Sequence, residues 1–180
     1  MRREIRLRLA GIYAGEEGRA LRDMHSRQIC DAIRAHSAWQ RARLVCAFLP
    51  LSSEPQISPL WEETEMPFCF PRIHGQELKL VRIADRDVLR RANWKMSLPE
   101  FETAPVVELG EVDLLLVPGV AFTREGARLG RGGGYYDRLL AGRMATTFAA
   151  GVCYSAQIVD ALVREAHDMP VDAVVTEMRE

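Results

Sequence analysis

No apolar run in these 180 residues approaches the roughly 20 that a membrane-spanning helix needs. The opening Met1-Arg2-Arg3-Glu4 is basic but has no apolar core behind it, so no secretory signal is read there. An excess of one charge is missing too. The 24 Lys and Arg against 25 Asp and Glu leave a formal net charge of -1, which argues against bulk nucleic acid as a partner. Cysteine is scarce: Cys30, Cys46, Cys69 and Cys153 are scattered without CxxC spacing. They read as small buried thiols rather than zinc ligands, and they imply a reducing, cytoplasmic setting. Neither GxxxxGKS/T nor GxGxxG occurs, which excludes a P-loop and a Rossmann fingerprint. The histidines His25, His36, His74 and His167 are isolated, and Ser52-Ser53 has no nucleophile-elbow setting, so covalent catalysis is not indicated.

What remains is a globular composition, 48% hydrophobic and 27% charged, without repeats, low-complexity tracts or an inter-domain linker. Residues 1–180 therefore read as one domain with a substantial core. Helices are expected over 2–13 and about 17–36, the latter with Ala20, Leu21, Met24, Ile29 and Ile33 on its apolar face and with Gly15 and Gly18 breaking the pattern before it. Strands are expected over 44–49, 67–70, 77–83, 112–117, 146–153 and 173–176, with further helices near Leu60 and over 134–142 and 156–165. Residues 84–111, charged and carrying Pro99 and Pro105, read as a long irregular connection. The alternation of β and α elements predicts a three-layer α/β/α sandwich around a mainly parallel sheet.

The densest chemistry lies in Arg128-Leu129-Gly130-Arg131-Gly132-Gly133-Gly134-Tyr135-Tyr136-Asp137, between an apolar strand and a helix start. Its glycines let successive amides turn toward one point, and its arginines offer bidentate forks for phosphate or carboxylate oxygens. The terminal acid suits a hydrated Mg²⁺ shared with phosphates. The combination points to a polyphosphate nucleotide.

The run "DLLLVPGVAFTREGARLGRGGGYYDRLL" resembles the signature of the 5-formyltetrahydrofolate cyclo-ligase family. Echoes elsewhere are "RREIR", "AFLPLSSE", "FCFPR", Trp94 followed by Pro99, and "AHDMPVDAVVTE". The resemblance implies that Arg128 through Tyr136 bind ATP, and that Arg131 through Tyr135 also touch the folate. It assigns Arg131 and Tyr135 to catalysis. It implies phosphate contacts from Arg2 and Arg6, which share a helical face, and folate contacts from Leu49, Glu54 and Trp94. Asp137 reads either as an early-helix acid favoured by the dipole or, as the resemblance implies, as an Mg²⁺ ligand with Asp168; Asp172 is the rival of Asp168. Arg replaces the family's usual Lys at position 2, Gly133 stands where many relatives carry Lys, and Pro55 and Leu98 also depart from the pattern.

The reaction implied is ATP-dependent closure of 5-formyltetrahydrofolate to 5,10-methenyltetrahydrofolate, with release of ADP and phosphate. The formyl oxygen takes the γ-phosphoryl group, N10 attacks the formyl carbon, and phosphate leaves. A monomer acting on ATP and a reduced folate, without nucleic acid or membrane, is expected. Two alternatives stay open: a diverged relative acting on another substrate, and a non-catalytic nucleotide or folate-binding module.

Overall fold

A computed structural model describes residues 1–92, 99–163, 165 and 167–178. The chain runs through α1 (Arg2–Ile12), α2 (Gly15–Ala35), α3 (Ser37–Arg41), β1 (Val45–Cys46), α4 (Pro59–Glu62), β2 (Phe68–His74) and β3 (Glu77–Arg82). It continues through α5 (Arg86–Arg91), α6 (Pro99–Thr103), β4 (Val106–Val107), β5 (Leu114–Pro118), β6 (Ala121–Phe122) and β7 (Arg128–Leu129), ending with α7 (Tyr135–Ala141), β8 (Phe148–Val152) and β9 (Ala173–Val175). Short 3₁₀ turns lie at Leu109–Glu111 and Ser155–Gln157. No described helix is long and apolar enough to cross a membrane.

Seven strands form one sheet in the order β4-β3-β2-β1-β5-β8-β9, while β6 and β7 make a separate hairpin. The five strands from β2 to β9 pair in parallel; β3 and β4 add an antiparallel edge. β5 shows why the centre is stable. Its Leu114 and Leu116 enter the core under α1 to α6, and Leu115 and Val117 enter the core under α7, so a continuous apolar run is buried on both faces. The sandwich is therefore lopsided, with six helices on one face and α7 with flanking coil on the other.

Asp113 ties the start of this centre together. Its Oδ2 accepts the amides of Arg43 at 2.8 Å and Leu44 at 3.2 Å. Partial burial raises its carboxyl, but these hydrogen bonds and the Arg43 guanidinium outweigh it and hold the group below its ordinary 3.8. The four cysteines are all buried and free; Cys46 and Cys69 face each other across β1 and β2.

Several expected elements differ. The strand over 44–49 contracts to β1, although the Ala47 amide still bonds the Cys69 carbonyl at 3.0 Å. The helix over 156–165 is absent among the described residues. Gln157 is buried and spans from the Tyr154 amide to the Gly119 and Val120 carbonyls, and the Val159 amide bonds Phe122, which draws the chain along β6 instead. The described part of 84–111 is ordered into α5, α6, β4 and a 3₁₀ turn, with Asp85 capping α5 through the Asp87 amide at 2.8 Å.

α2 keeps its expected place with a rotated stripe. Met24 is exposed, and the buried positions are Gly18, Ser26, Ile29, Cys30 and Ile33. Ser26 is buried because it bonds the Tyr154 hydroxyl at 3.1 Å and accepts the Gln56 amide at 3.1 Å. Gly18 is no breaker: a Cβ there would lie 2.4 Å from the Tyr13 carbonyl carbon, so its absence lets α1 turn tightly into α2.

Two outcomes follow. Gly18→Ala gains about 1 kcal/mol of helix propensity, yet the backbone clash costs about 1–3 kcal/mol, so its denaturation midpoint should fall. Asp113 has a depressed folded value, so its stabilisation is full above the unfolded value and lost as pH falls through the folded one. Urea midpoints at pH 7 and pH 3 should therefore differ less in Asp113→Asn than in the parent chain; an equal acid loss would remove Asp113 from this role.

Candidate active site

β1 and β5 are neighbours whose continuations leave in opposite directions: β1 through α4 to β2, β5 through the β6–β7 hairpin and α7 to β8. Such a switch point leaves a crevice beyond the carboxyl ends of the strands. Here it is a cavity of about 560 Å³, walled by Phe48, Leu49, Pro71, Leu78 and Phe101 and floored by the glycine-rich loop. A volume of this size fits a small-molecule ligand.

Its charges come in internal pairs. Glu54, in the turn after β1, is 3% exposed. Its Oε1 accepts Arg131 Nη2 at 2.8 Å and Nε at 3.2 Å, and its Oε2 accepts the Leu51 amide at 2.9 Å. Arg131 also reaches Ser53 Oγ at 3.2 Å. Arg128, buried in β7, donates Nη2 to Asp137 Oδ1 at 2.5 Å and lies over the Tyr136 ring, while its buried Nε has no partner among the described residues. Burial first, then Cys46 and Glu54, pushes the Tyr136 phenol well above its ordinary range, so it remains a neutral donor.

The loop itself is built for close approach. Gly134 has φ +65 and starts α7, and Gly132 has φ +104, both favouring glycine. The amides of Gly132 to Asp137 bond no other group among the described residues, which leaves them available to oxygen acceptors. A Cβ at Gly133 would lie 2.9 Å from the Tyr135 ring, so that ring occupies the space where a side chain at 133 would begin.

The expected residues divide as follows. Leu49, Glu54, Arg128, Gly130, Arg131, Gly133, Gly134, Tyr135, Tyr136 and Asp137 all line the cavity. Leu129 packs into the core instead, and Gly132 is outside the lining. Arg2 donates Nε to the Gly130 carbonyl at 2.9 Å, so it holds the loop from behind. Arg6 borders a small crevice with Ser53 and Arg131. Asp168 does not line the cavity; its Oδ2 accepts the Glu165 amide at 2.7 Å. Its rival Asp172 is engaged by Arg143 at 2.7 and 2.9 Å and by the Ala149 amide. Trp94 lies outside the described residues.

Two contributors escaped the sequence reading. Arg72 of β2 lines the cavity. Arg138 of α7 donates to the Gln76 carbonyl at 2.9 Å and to the Gly133 carbonyl at 3.0 Å, with its guanidinium 5.2 Å from the Tyr135 ring centre. It thus clips the β2–β3 hairpin tip to the glycine-rich loop. The signal was present, since Tyr135 and Arg138 are three residues apart on one helical face, but the hairpin partner is 62 residues away. Arg138→Ala should speed amide hydrogen exchange at His74 and Glu77, the pair that closes the β2–β3 hairpin, while β5 exchange stays slow; unchanged hairpin exchange would refute the clip.

Known proteins bear the same pattern. The model of the 5-formyltetrahydrofolate cyclo-ligase family matches residues 1–177. The 5-formyltetrahydrofolate cyclo-ligase of Mycolicibacterium smegmatis is 33% identical over 76% of this chain and 75% of its own. The mouse enzyme of that name is 27% identical over 98% and 92%. The solution structure of 5,10-methenyltetrahydrofolate synthetase from Aquifex aeolicus superposes with a TM-score of 0.78 at 30% identity, covering 99% of this chain and 90% of that one. A family match over residues 1–177 means that the chain belongs to the 5-formyltetrahydrofolate cyclo-ligase family.

Proposed function

We propose that this chain uses ATP to close 5-formyltetrahydrofolate to 5,10-methenyltetrahydrofolate, releasing ADP and phosphate. The observation that carries the reading is the Glu54–Arg131 pair, which joins the turn after β1 to the glycine-rich loop at the mouth of an apolar cavity. A pterin offers N–H donors to a carboxylate, and phosphate offers oxygens to a guanidinium. Ligand binding then exchanges one internal pair for two external ones: Glu54 turns to the pterin, Arg131 to the phosphates. Arg131 is the half that moves, since its side chain is 34% exposed against 4% for Glu54.

The chemistry needs positioning and charge neutralisation rather than a protein nucleophile. The formyl oxygen forms a bond to the γ-phosphorus as the bond to the β-phosphate oxygen breaks and ADP leaves. N10 then bonds the formyl carbon, loses its proton, and phosphate departs with the former formyl oxygen. Arg131 and the amides of Gly132 to Tyr135 receive the charge that develops on the transferred group. Arg6 at the adjoining crevice adds a phosphate contact, and Arg2 acts through its grip on Gly130. Tyr135, held over Gly133 by Arg138, forms the wall against which the reacting groups align.

A divalent cation fits one carboxylate here. Among the described residues Asp137 lines the cavity with only Oδ1 engaged, and Mg²⁺ commonly takes one or two carboxylates, with waters and phosphate oxygens completing its shell. Bound there, Mg²⁺ would supply charge neutralisation for the phosphates. Asp168 is apart from the lining, so the one-carboxylate arrangement is the one supported.

The test is absorbance of the methenyl product on mixing the chain with Mg-ATP and 5-formyltetrahydrofolate, with ADP followed in parallel. Both products should appear together. Arg131→Ala and Asp137→Asn should each lower kcat about 10²–10³-fold while unfolding cooperatively. Near-parental turnover in both variants would overturn the site, and ATP binding without methenyl product would indicate another substrate.

A further inference from the structure

Arg72 sits in the cavity wall in an unusual electrostatic position. Its side chain is 12% exposed, and Nη1 donates to the Phe101 carbonyl at 3.2 Å and to Glu102 Oε2 at 2.5 Å. Its Nε is buried without a hydrogen-bond partner among the described residues. A buried guanidinium N–H left unpaired is costly, and an acceptor from a ligand would relieve it. Across the hairpin, Arg72 stands in register with Lys79. Directly opposed strand residues share a face with their Cβ atoms about 4.5–5.5 Å apart, and like charges so placed repel. Lys79 forms no ion pair among the described residues. Two cations on one face of β2–β3, one of them lining an apolar-walled cavity, call for an anion.

The partner already present is displaceable. Glu102 belongs to the five-residue helix α6, and its side chain is 52% exposed. A carboxylate that far into water gives up its partner at small cost, because exposed ion pairs contribute little.

We infer that Arg72, with Lys79 behind it, is the subsite for a carboxylate of the substrate, the one borne by the glutamate tail of a reduced folate. This rests on the folate reading above. The pterin end is drawn to Glu54 and the phosphates to Arg131, Arg6 and the glycine-rich loop. Among the described lining residues Arg128 is tied to Asp137, which leaves Arg72 as the cation of the hairpin wall, among Pro71, Ile73 and Phe101. Those apolar neighbours suit the aminobenzoyl ring that links pterin to glutamate. Glu102 occupies the guanidinium until the tail arrives.

Equilibrium binding tests the subsite without requiring turnover. Calorimetry would compare 5-formyltetrahydrofolate with a 5-formyltetrahydropterin lacking the aminobenzoyl-glutamate tail, for the parent chain, Arg72→Met, Arg72→Lys and Glu102→Gln. Losing one charge-assisted contact should reduce the parent's preference for the tailed ligand about 10- to 100-fold in Arg72→Met. Arg72→Lys, which keeps the charge and loses the fork, should lose less and serves if the Met variant unfolds. Glu102→Gln removes the competitor and should bind the tailed ligand as tightly as the parent or more so. If Arg72 merely props α6, Glu102→Gln will weaken binding as Arg72→Met does, and the inference falls. It also falls if both ligands weaken equally, or if the loss appears in ATP binding, which would make the anion a phosphate. Absence of methenyl product with tail discrimination intact would sink the proposed reaction and leave the subsite standing.

Discussion

Two adjacent parallel strands whose chains depart to opposite sides are the constraint behind the whole molecule. Because β1 and β5 are buried on both faces, their carboxyl ends cannot be covered by the sheet, and the turn with Glu54 and the loop with Arg131 must meet above them. The six-helix face and the thin α7 face follow from the same division, since each crossover takes its helices to its own side. Residues 77 positions apart are thereby held within 2.8 Å.

Among the described residues, each strong charge of the cavity has an internal counter-charge: Glu54 with Arg131, Asp137 with Arg128, Arg72 with Glu102. Isolated charges would be expensive in so apolar a setting, and the internal pairs avoid that cost. In the proposed binding mode these pairs exchange partners, and the net gain is the difference between two sets of ion pairs. There the exposed halves, Arg131 and Glu102, swing away, while the buried halves, Glu54 and Arg72, receive the ligand groups. Arg128 differs: with its side chain 3% exposed and its partner Asp137 at 15%, it acts as a fixed post for the loop.

Much of this was legible in the sequence. The apolar run of β5 reads as a buried strand, and four glycines among arginines and tyrosines mark the loop that lines the cavity. The place of Glu54 just beyond a strand left it open between turn acid and ligand contact, and only the family resemblance singled it out. What stayed hidden depends on long-range partners. The apolar spacing after Tyr154 mimics a helix, and only the bonds of Gln157 to Gly119 and Val120 reveal otherwise. α5 and α6 have six and five residues, too few turns to show a period, so their stretch read as loop. The stripe of α2 was misjudged at Met24 because the buried neighbour is a hydroxyl cluster, which hydrophobicity does not mark. No local rule pairs Arg138 with Gln76.

Arg2 grips Gly130, and Ser26 bonds Tyr154; each contact spans 128 residues. A ribosome delivers α1 and α2 well before their polar anchors, which follow 128 residues later. Ile5, Leu9, Ile29 and Ile33 must wait meanwhile without the sheet that buries them. The nascent chain thus carries an unfinished amphipathic helix pair while the intervening residues are made, a period of exposure to chaperones and to self-association. The amino-terminal helices become part of the cavity's support only when the final parallel strands close.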